Sequence, residues 1–311
     1  MAELRAGDCV IQVECTGVCS TDVRHYCGEI RRLQLGEPAI LGHEVFGRIV
    51  VSGDSGLGEG TPVAVIGTRF CKICALCIRG DVLMCPNFGV AAGGFSEMLV
   101  VPREWCRQNL LPLSQTVDRV TACYLDSFSA CVRALRLATV GKGVRTLVVG
   151  DGFLAGLTAL AADRMGSRVL LMTKSSKLLE TTSLRKVPMN QSDNEPLVNG
   201  QAPWLDSVVI IGPRNHDLRR AWGSVSRGGR VVIMSGASVP LPDSGEVYRN
   251  RLTVLSSVHS DWEDRVAARE IADSVREFIH EVSIGYSLEC VEEALLAVQR
   301  KSALRAHVLM H

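Results

Sequence analysis

Four cysteines between residues 71 and 85 have the spacing of a metal site. They are Cys71, Cys74, Cys77 and Cys85, in the pattern C-x2-C-x2-C-x7-C. Gaps of two residues let consecutive thiolates fold around one ion, and the fourth returns after a short loop to complete a tetrahedron. The pattern therefore predicts a structural zinc site with no open position. Two alternatives stay open: an iron–sulfur cluster, although ferredoxins place their fourth cysteine after three residues, and four buried cysteines without a metal.

A glycine-rich turn follows an apolar strand in the second half of the chain. Gly150, Gly152 and Ala155 form the pattern G-x-G-x-x-A. The first glycine permits a tight turn, the second lets the backbone approach a pyrophosphate, and the third position needs only a small side chain. The start of the following helix adds amide donors and a favourable dipole. We expect these residues to bind a dinucleotide; the alternative is a strand–helix turn without a ligand.

The end of the next strand bears on which dinucleotide would bind. Sites for NAD place an acidic residue about 20 residues after the turn, on the ribose hydroxyls. Residues 171–177 contain no carboxylate. Thr173 can donate a hydrogen bond, and Lys174 or Lys177 can face a 2′-phosphate. This favours the hypothesis of NADP(H) over NAD(H), with Thr173 and Lys174 as cofactor-binding residues, unless the lysines form only a solvated loop.

The hydrophobic pattern predicts the elements that position these motifs. Short strands separated by glycine and proline turns are predicted over residues 8–15, 48–52, 62–66 and 97–102. Helical spacing begins at residue 118 and runs to 139. Apolar runs then recur at 146–149, 168–172, 207–211, 230–234 and 252–256. Continuous Val/Ile/Leu runs are typical of parallel strands buried on both faces.

These elements predict an α/β protein of two domains. Residues 119–259 read as a doubly wound parallel sheet, and residues 1–118 with 260–311 read as a β-rich domain. The second part of that domain contains helical stretches at 262–281 and 288–299 and a closing strand at 305–310. Residues 178–203 are polar and irregular, so one strand there is left open.

Charge and composition exclude several classes of function. Lys and Arg total 34 against 33 for Asp and Glu, so no basic field exists to bind nucleic acid or an anionic membrane. No uninterrupted apolar run reaches the roughly 18 residues of a membrane span. The first residues lack the apolar segment of a signal peptide. We therefore expect a cytoplasmic protein, in which 12 cysteines serve metal binding and packing rather than disulfides.

Two further motifs lie upstream of the cysteine loop. They are Gly17-Val-Cys19-Ser-Thr21-Asp22 and Gly42-His43-Glu44. These two motifs are followed along the chain by the cysteine loop and then by the glycine turn. The combination, in this order, resembles the zinc-dependent medium-chain dehydrogenase/reductase family, which includes alcohol, sorbitol and threonine dehydrogenases. The resemblance extends from about Asp8 to the last strand. It implies a Rossmann domain together with a GroES-like catalytic domain.

The resemblance implies a second, catalytic zinc. Cys19 and His43 match two of its ligands, and Asp126 matches the third. Many relatives carry a glutamate at the position of Asp126. The aspartate side chain is one methylene shorter than that glutamate. Glu44 matches an adjacent carboxylate that can approach the metal. One thiolate, one imidazole and one carboxylate leave the fourth zinc position open for a substrate.

Two residues beside the ligands also match the family. Asp22 matches a carboxylate that orients the histidine ligand. Thr21 matches a hydroxyl that passes the alcohol proton toward solvent. Relatives continue this relay with a histidine, where this chain has Arg24 followed by His25.

The activity that the resemblance implies is hydride transfer. The partners would be a nicotinamide cofactor, NADP or NAD, and a secondary alcohol, polyol or amino alcohol, or the matching ketone. Two zinc ions per chain and a homo-dimer or homo-tetramer are expected. Relatives carry a few tens of residues before the position of Asp8, so we expect a reduced N-terminal region or a misplaced start.

One alternative to an active dehydrogenase is a degenerate member that keeps the structural zinc and the cofactor without turnover. The intact Cys19 and His43 disfavour another, a zinc-free reductase.

Overall fold

The computed structural model describes residues 4–30, 40–90, 92–188, 204–212, 218–236 and 239–310. The strands are β1 (Cys9–Val18), β2 (Glu44–Val51), β3 (Pro62–Val65), β4 (Thr68–Arg69), β5 (Gly89–Val90), β6 (Met98–Val101), β7 (Leu110–Pro112), β8 (Arg145–Val149), β9 (Arg168–Thr173), β10 (Arg185–Pro188), β11 (Leu205–Ile210), β12 (Val225–Ile233), β13 (Thr253–Ser256), β14 (Ser283–Ser287) and β15 (Arg305–Leu309). The α-helices are α1 (Ser20–Tyr26), α2 (Ala75–Ile78), α3 (Arg103–Asn109), α4 (Arg119–Cys123), α5 (Leu125–Leu137), α6 (Phe153–Arg164), α7 (Ser176–Thr181), α8 (Arg219–Gly223), α9 (Ser244–Asn250), α10 (Trp262–Ile271), α11 (Arg276–Val282) and α12 (Val291–Gln299). Short 3-10 turns lie at Gly53–Ser55, Val82–Met84, Ala272–Val275 and Leu288–Cys290.

The chain divides into two compact units. The first contains Met1–Asp126 and Val282–His311, and the second contains Ser127–Glu281. The sequence had placed these changes at 118/119 and 259/260. The first change lies inside α5 and the second close to the end of α11. The local pattern has no signal for the first point, because it lies within a helix, whereas the second lies where α11 gives way to β14.

The first unit is built on a mostly antiparallel sheet. Its strand order is β14-β15-β1-β2-β3-β7, with β6 paired to β1. The strand β1 therefore has three partners: β2, β6 and β15. Apolar side chains on one face of these strands, among them Ile11, Val45 and Ile49, form the buried core. The β-rich domain predicted from the short alternating runs is confirmed.

The second unit is built on a parallel sheet. Its order is β10-β9-β8-β11-β12-β13, and every neighbouring pair is parallel. Numbered within the unit, this is 3-2-1-4-5-6, the order of a dinucleotide-binding Rossmann sheet. The strand order reverses between β8 and β11, which is where such sheets bind ligands. The α/β fold class is confirmed. The strand left open in 178–203 corresponds to β10, and residues 189–203 lie outside the described part of the chain.

The helical stretch predicted at 118–139 consists of two helices. α4 ends at Cys123, and α5 begins at Leu125. Tyr124 lies between them with its side chain fully buried. Its hydroxyl donates a hydrogen bond to the carbonyl oxygen of Ala306, at 2.7 Å. The tyrosine thus attaches the break between the helices to the last strand.

The helices are short. The longest within the described ranges, α5, has 13 residues. Within the described ranges, no helix combines the length and the hydropathy that crossing a membrane requires.

Candidate metal and dinucleotide sites

Strand pairing brings Cys19 and His43 together. Cys19 follows β1 and His43 precedes β2, and the two strands are antiparallel with Gly17 opposite Glu44. The end of one strand therefore lies beside the start of the other. The ligand atoms of Cys19, His43 and Glu44 lie within 4.8 Å of one another. These three residues are called the upper cluster below.

A buried carboxylate fixes the orientation of His43. Asp22 is 2% exposed. Its Oδ1 lies 3.2 Å from Nδ1 of His43 and accepts the backbone N–H of Gly42 at 3.1 Å. Its Oδ2 accepts the backbone N–H of Cys19 at 3.0 Å. With Nδ1 committed to Asp22, Nε2 is the ring nitrogen that can face a metal.

The charges around His43 favour a cation. Burial lowers the pKa of His43, but the neighbouring Cys19 and Asp22 outweigh burial and raise that pKa well above its usual range. For Asp22 the effect of burial has the opposite sign and raises the pKa. The hydrogen bond and the charge of His43 outweigh it and hold the pKa of Asp22 below its usual range. Positive charge is thus stabilised at this point. A divalent metal ion needs the same surroundings.

Glu44 makes a buried ion pair with Arg305. Nη2 of Arg305 donates to Oε1 of Glu44, and both side chains are at most 5% exposed. The guanidinium also lies over the ring of Tyr124, 5.5 Å from its centroid. Burial lowers the pKa of Arg305, but the charges of Glu44 and Cys19 raise it overall. Glu44 thus fits a carboxylate held beside the metal position.

The remaining residues that match the family motifs do not belong to the upper cluster. Asp126, at the start of α5, does not belong to the cluster formed by the described residues. A Cβ built on Gly67 would lie 3.2 Å from Oδ2 of Asp126 and 3.3 Å from Cβ of His43, so both residues flank this glycine. Thr21 is half-buried in α1. Arg24 is exposed, with Nε 3.4 Å from Oε2 of Glu29.

The four loop cysteines converge on one point. Their Sγ atoms lie within 4.8 Å of one another, and the pair from Cys71 and Cys77 is 3.8 Å apart. Four sulfurs at about 2.3 Å from a zinc ion would stand about 3.8 Å apart at the corners of a tetrahedron. The spacing therefore fits zinc.

Backbone amides around the loop cysteines stabilise thiolate charge. The N–H of Cys71 donates to Sγ of Cys85 and the N–H of Cys74 donates to Sγ of Cys71, both at 3.3 Å. The N–H groups of Ile73 and Cys74 lower the pKa of Cys71 to about 6. Desolvation and the neighbouring Cys74 raise the pKa of Cys77 to about 12. The site thus holds one thiolate readily and needs a bound cation to hold four.

The glycine turn fits a dinucleotide. A Cβ on Gly150 would lie 2.5 Å from the carbonyl oxygen of Ile211, so packing requires this glycine. Gly152 differs: among the described residues, no heavy atom lies within 4 Å of a Cβ built there. Ala155 is buried in α6. Packing does not explain why residue 152 lacks a side chain, whereas the close approach of a pyrophosphate does.

The predicted specificity residues lie at the end of β9. Thr173 is buried, and its hydroxyl donates to Oδ1 of Asp151 at 3.1 Å. The backbone N–H of Lys174 donates to the same oxygen at 2.6 Å. Nζ of Lys177 lies 3.9 Å from Oε1 of Glu281. Thr173 and Lys174 thus surround a carboxylate that comes from the glycine turn.

Comparison with known proteins agrees with this geometry. Residues 5–112 match the alcohol dehydrogenase GroES-like domain. The L-galactonate-5-dehydrogenase of Escherichia coli is 27% identical over 270 residues, which cover 83% of this chain and 77% of that protein. The chain is therefore similar to the medium-chain dehydrogenase/reductase family of alcohol dehydrogenases. The sorbitol dehydrogenase of Bombyx mori is also 27% identical, over 55% of this chain and 50% of its own length.

The family fold extends over nearly the whole chain. A structure described as a zinc-binding dehydrogenase from Sinorhizobium meliloti 1021, bound to NADP, superimposes with a TM-score of 0.84. The superposition covers 99% of this chain and 93% of the other at 22% identity. At that identity the likeness concerns the fold.

The sequence did not identify Arg305 as a neighbour of the upper cluster. The prediction for residues 305–310 was a closing strand, which the structure confirms as β15. A single arginine in a short apolar strand resembles an edge residue that extends into solvent. A buried arginine is almost always paired, but the burial of Arg305 is visible only in the fold. The partner, Glu44, is 261 residues away and could not be identified without the fold.

Replacing Arg305 by leucine is expected to destabilise the protein. The change leaves the Glu44 carboxylate buried without its cation. Breaking a buried ion pair on one side costs about 3–5 kcal/mol. We expect the free energy of unfolding in urea to fall by about that amount.

Two further variants control this prediction. Arg300→Leu changes an exposed arginine and should alter stability by less than about 0.5 kcal/mol. Arg305→Leu combined with Glu44→Gln removes both charges and should cost less than Arg305→Leu alone. Equal losses in the single and double variants would show that the two residues do not act as a pair.

Proposed function

We propose that this chain is a zinc-dependent oxidoreductase. It transfers a hydride between a nicotinamide dinucleotide and a secondary alcohol, polyol or amino alcohol, or the matching ketone. The observation that carries the proposal is the upper cluster, in which a thiol, an imidazole and a carboxylate converge beside the buried Asp22. A core histidine without function would not need two further potential ligands beside it.

The proposed roles in catalysis follow from the contacts of each side chain. Cys19 and His43 are the proposed metal ligands. Asp22 occupies Nδ1 of His43 and so leaves Nε2 for the metal, and the thiol of Cys19 lies in the same cluster. Asp126 is the proposed third ligand. The carboxylate of Glu44 neutralises the positive charge of Arg305, with which it is paired.

The proposed proton path begins at Thr21. Its hydroxyl is half-buried in α1, two residues after Cys19, and can pass the alcohol proton toward solvent. A bound metal ion would act as a Lewis acid toward the alcohol oxygen, and a bound nicotinamide would be the donor or acceptor of the hydride. The side chains named here hold these groups and move the proton.

The cofactor set is proposed as two zinc ions and one dinucleotide per chain. The second zinc lies among the four loop cysteines, whose sulfur spacing supports it. Gly150, Gly152 and Ala155 receive the pyrophosphate, and Thr173 and Lys174 lie beside the adenosine ribose. The order of the parallel sheet supports this placement.

The substrate class is proposed from the relatives. Two of them are named for polyol or sugar-acid oxidation, as L-galactonate-5-dehydrogenase and sorbitol dehydrogenase. A polyol or a sugar acid with a secondary alcohol is therefore the first substrate to test. The family resemblance also supports a cytoplasmic homo-dimer or homo-tetramer, which light scattering of the purified chain would measure.

The test combines metal analysis with an activity panel on one sample of the full chain. We expect about two zinc ions per chain. We also expect a change in nicotinamide absorbance with at least one polyol, sugar acid or matching ketone. Removal of zinc with a chelator should abolish this change, and added zinc should restore it.

Other outcomes of this test have distinct meanings. About one zinc per chain with no turnover on any substrate would contradict hydride transfer and support the degenerate alternative. Turnover that survives complete loss of zinc would contradict the role of the upper cluster. A chain without zinc and without turnover would overturn the whole proposal.

A further inference from the structure

The glycine turn contains an acidic residue, Asp151, between its two glycines. β8 ends at Val149 and α6 begins at Phe153, so Asp151 lies in the turn that joins them. Glycine patterns of this kind leave the residue type at this position open. The side chain of Asp151 is half-buried and accepts hydrogen bonds from the neighbouring strand.

These bonds place the carboxylate at the carboxyl end of β9. Oδ1 of Asp151 accepts the hydroxyl of Thr173 at 3.1 Å and the backbone N–H of Lys174 at 2.6 Å. Strands β8 and β9 are adjacent and parallel, with Val149 opposite Met172. The turn after one strand therefore reaches the end of the other.

That point is where Rossmann sheets distinguish the two dinucleotides. A carboxylate there accepts hydrogen bonds from the ribose hydroxyls of NAD, whereas a cation there accommodates the 2′-phosphate of NADP. The strand β9 itself provides no acid in this chain. Asp151 brings a carboxylate to the same end of the strand from the preceding turn.

The lysines that favour NADP are placed less well for that purpose. Lys177 is directed toward Glu281, with Nζ 3.9 Å from Oε1. Lys174 is exposed, and its backbone is bonded to Asp151. A 2′-phosphate beside Lys174 would therefore also lie beside the carboxylate of Asp151, which repels it.

We propose that Asp151 is the residue that selects the dinucleotide, and that it selects NAD(H) over NADP(H). This inference rests on the proposed function, because it requires a dinucleotide on the glycine turn. It replaces the hypothesis from the sequence, in which the missing acid on β9 and the nearby lysines favoured NADP(H). The acid is present but comes from a different element.

Calorimetric titration of the full chain tests the proposal without any turnover. The probes are ADP-ribose and 2′-phospho-ADP-ribose, which differ only at the group in question. The natural chain should bind ADP-ribose at least tenfold more tightly. Asp151→Asn keeps an oxygen acceptor for Thr173 and Lys174 but loses the charge. It should reduce this preference by about tenfold to a hundredfold, the range of a hydrogen bond to a charged group.

Two control variants separate the possible causes. Asp151→Glu keeps the charge and should retain the preference for ADP-ribose, which a purely structural role of Asp151 would not explain. Asp163→Asn, which removes an exposed carboxylate near the opposite end of α6, should alter the affinity for ADP-ribose by less than about threefold. Circular dichroism melting of each variant checks that it folds.

The contrary outcomes are distinct from one another. Tighter binding of 2′-phospho-ADP-ribose to the natural chain, lost in Lys174→Gln, would overturn the inference and restore the NADP hypothesis. Binding of both probes with a preference that Asp151→Asn leaves unchanged would overturn the inference alone. Failure of both probes to bind would overturn the cofactor part of the proposed function as well.

Discussion

Replacing Cys19 by alanine is expected to lower kcat/KM by about a thousandfold or more and to remove one of two zinc ions. Cys19 is one of the three residues of the upper cluster, and its backbone is bonded to the carboxylate that orients His43. A metal ion contributes several kcal/mol to stabilising the transition state, and each 1.4 kcal/mol corresponds to tenfold in rate. Metal analysis and steady-state kinetics on the same preparation measure both effects.

A second thiol on the same helix provides the matched control. Cys27 follows the opposite end of α1, is exposed, and accepts a hydrogen bond from Nε2 of Gln299 at 3.0 Å. Cys27→Ala should retain two zinc ions and should change kcat/KM by less than about twofold. In the same assay, Asp126→Asn should also lose one zinc ion if Asp126 is the third ligand. Cys19→Ala with two zinc ions and unchanged kinetics would rule out Cys19 as a ligand of a catalytic metal.

Replacing Cys77 by serine is expected to remove the other zinc ion and to unfold the loop that contains it. The cluster of buried apolar residues at this loop is small, with Phe70, Val82 and Cys85 as its members, whereas Ile73, Ile78 and Met84 are exposed. Structural zinc sites contribute about 10–16 kcal/mol of binding free energy, which here would replace a core. We therefore expect residues 71–85 to unfold locally while the second unit, which contains the parallel sheet, stays folded.

Limited proteolysis with trypsin can detect this local unfolding. Trypsin cleaves after lysine and arginine, and the loop contains Lys72 and Arg79. Cleavage at these residues should become at least tenfold faster in Cys77→Ser, and zinc content should fall to about one per chain. Cys290→Ser, which changes a half-buried thiol elsewhere in the same unit, should cleave like the natural chain. Equal cleavage rates in all three proteins would show that the loop does not depend on metal.

The sequence predicted the fold well because most of its signals are local. The apolar runs identified the strands of both sheets, and the order of the motifs indicated the family. The meeting of Cys19 and His43 was predicted through the family motifs. The structure adds the physical reason, which is the antiparallel pairing of β1 with β2.

The features that the sequence did not reveal are contacts between distant segments. Arg305 is paired with Glu44, and Asp151 is bonded to Thr173 and Lys174. In each case the residue type gave no hint of its partner, because the fold alone makes them neighbours. The absence of an acid on β9 was read correctly, but a carboxylate can reach the end of that strand from another turn.

The ion pair between Glu44 and Arg305 has a consequence for how the protein is made. Glu44 leaves the ribosome 261 residues before its counter-ion. At about 5–20 residues per second, this delay is on the order of 10 to 50 seconds. Residues 127–281 are continuous and can fold during that time, whereas the sheet of the first unit lacks β14 and β15. The buried pair therefore forms only after β15 has been synthesised, which makes it one of the last contacts of the first unit to form.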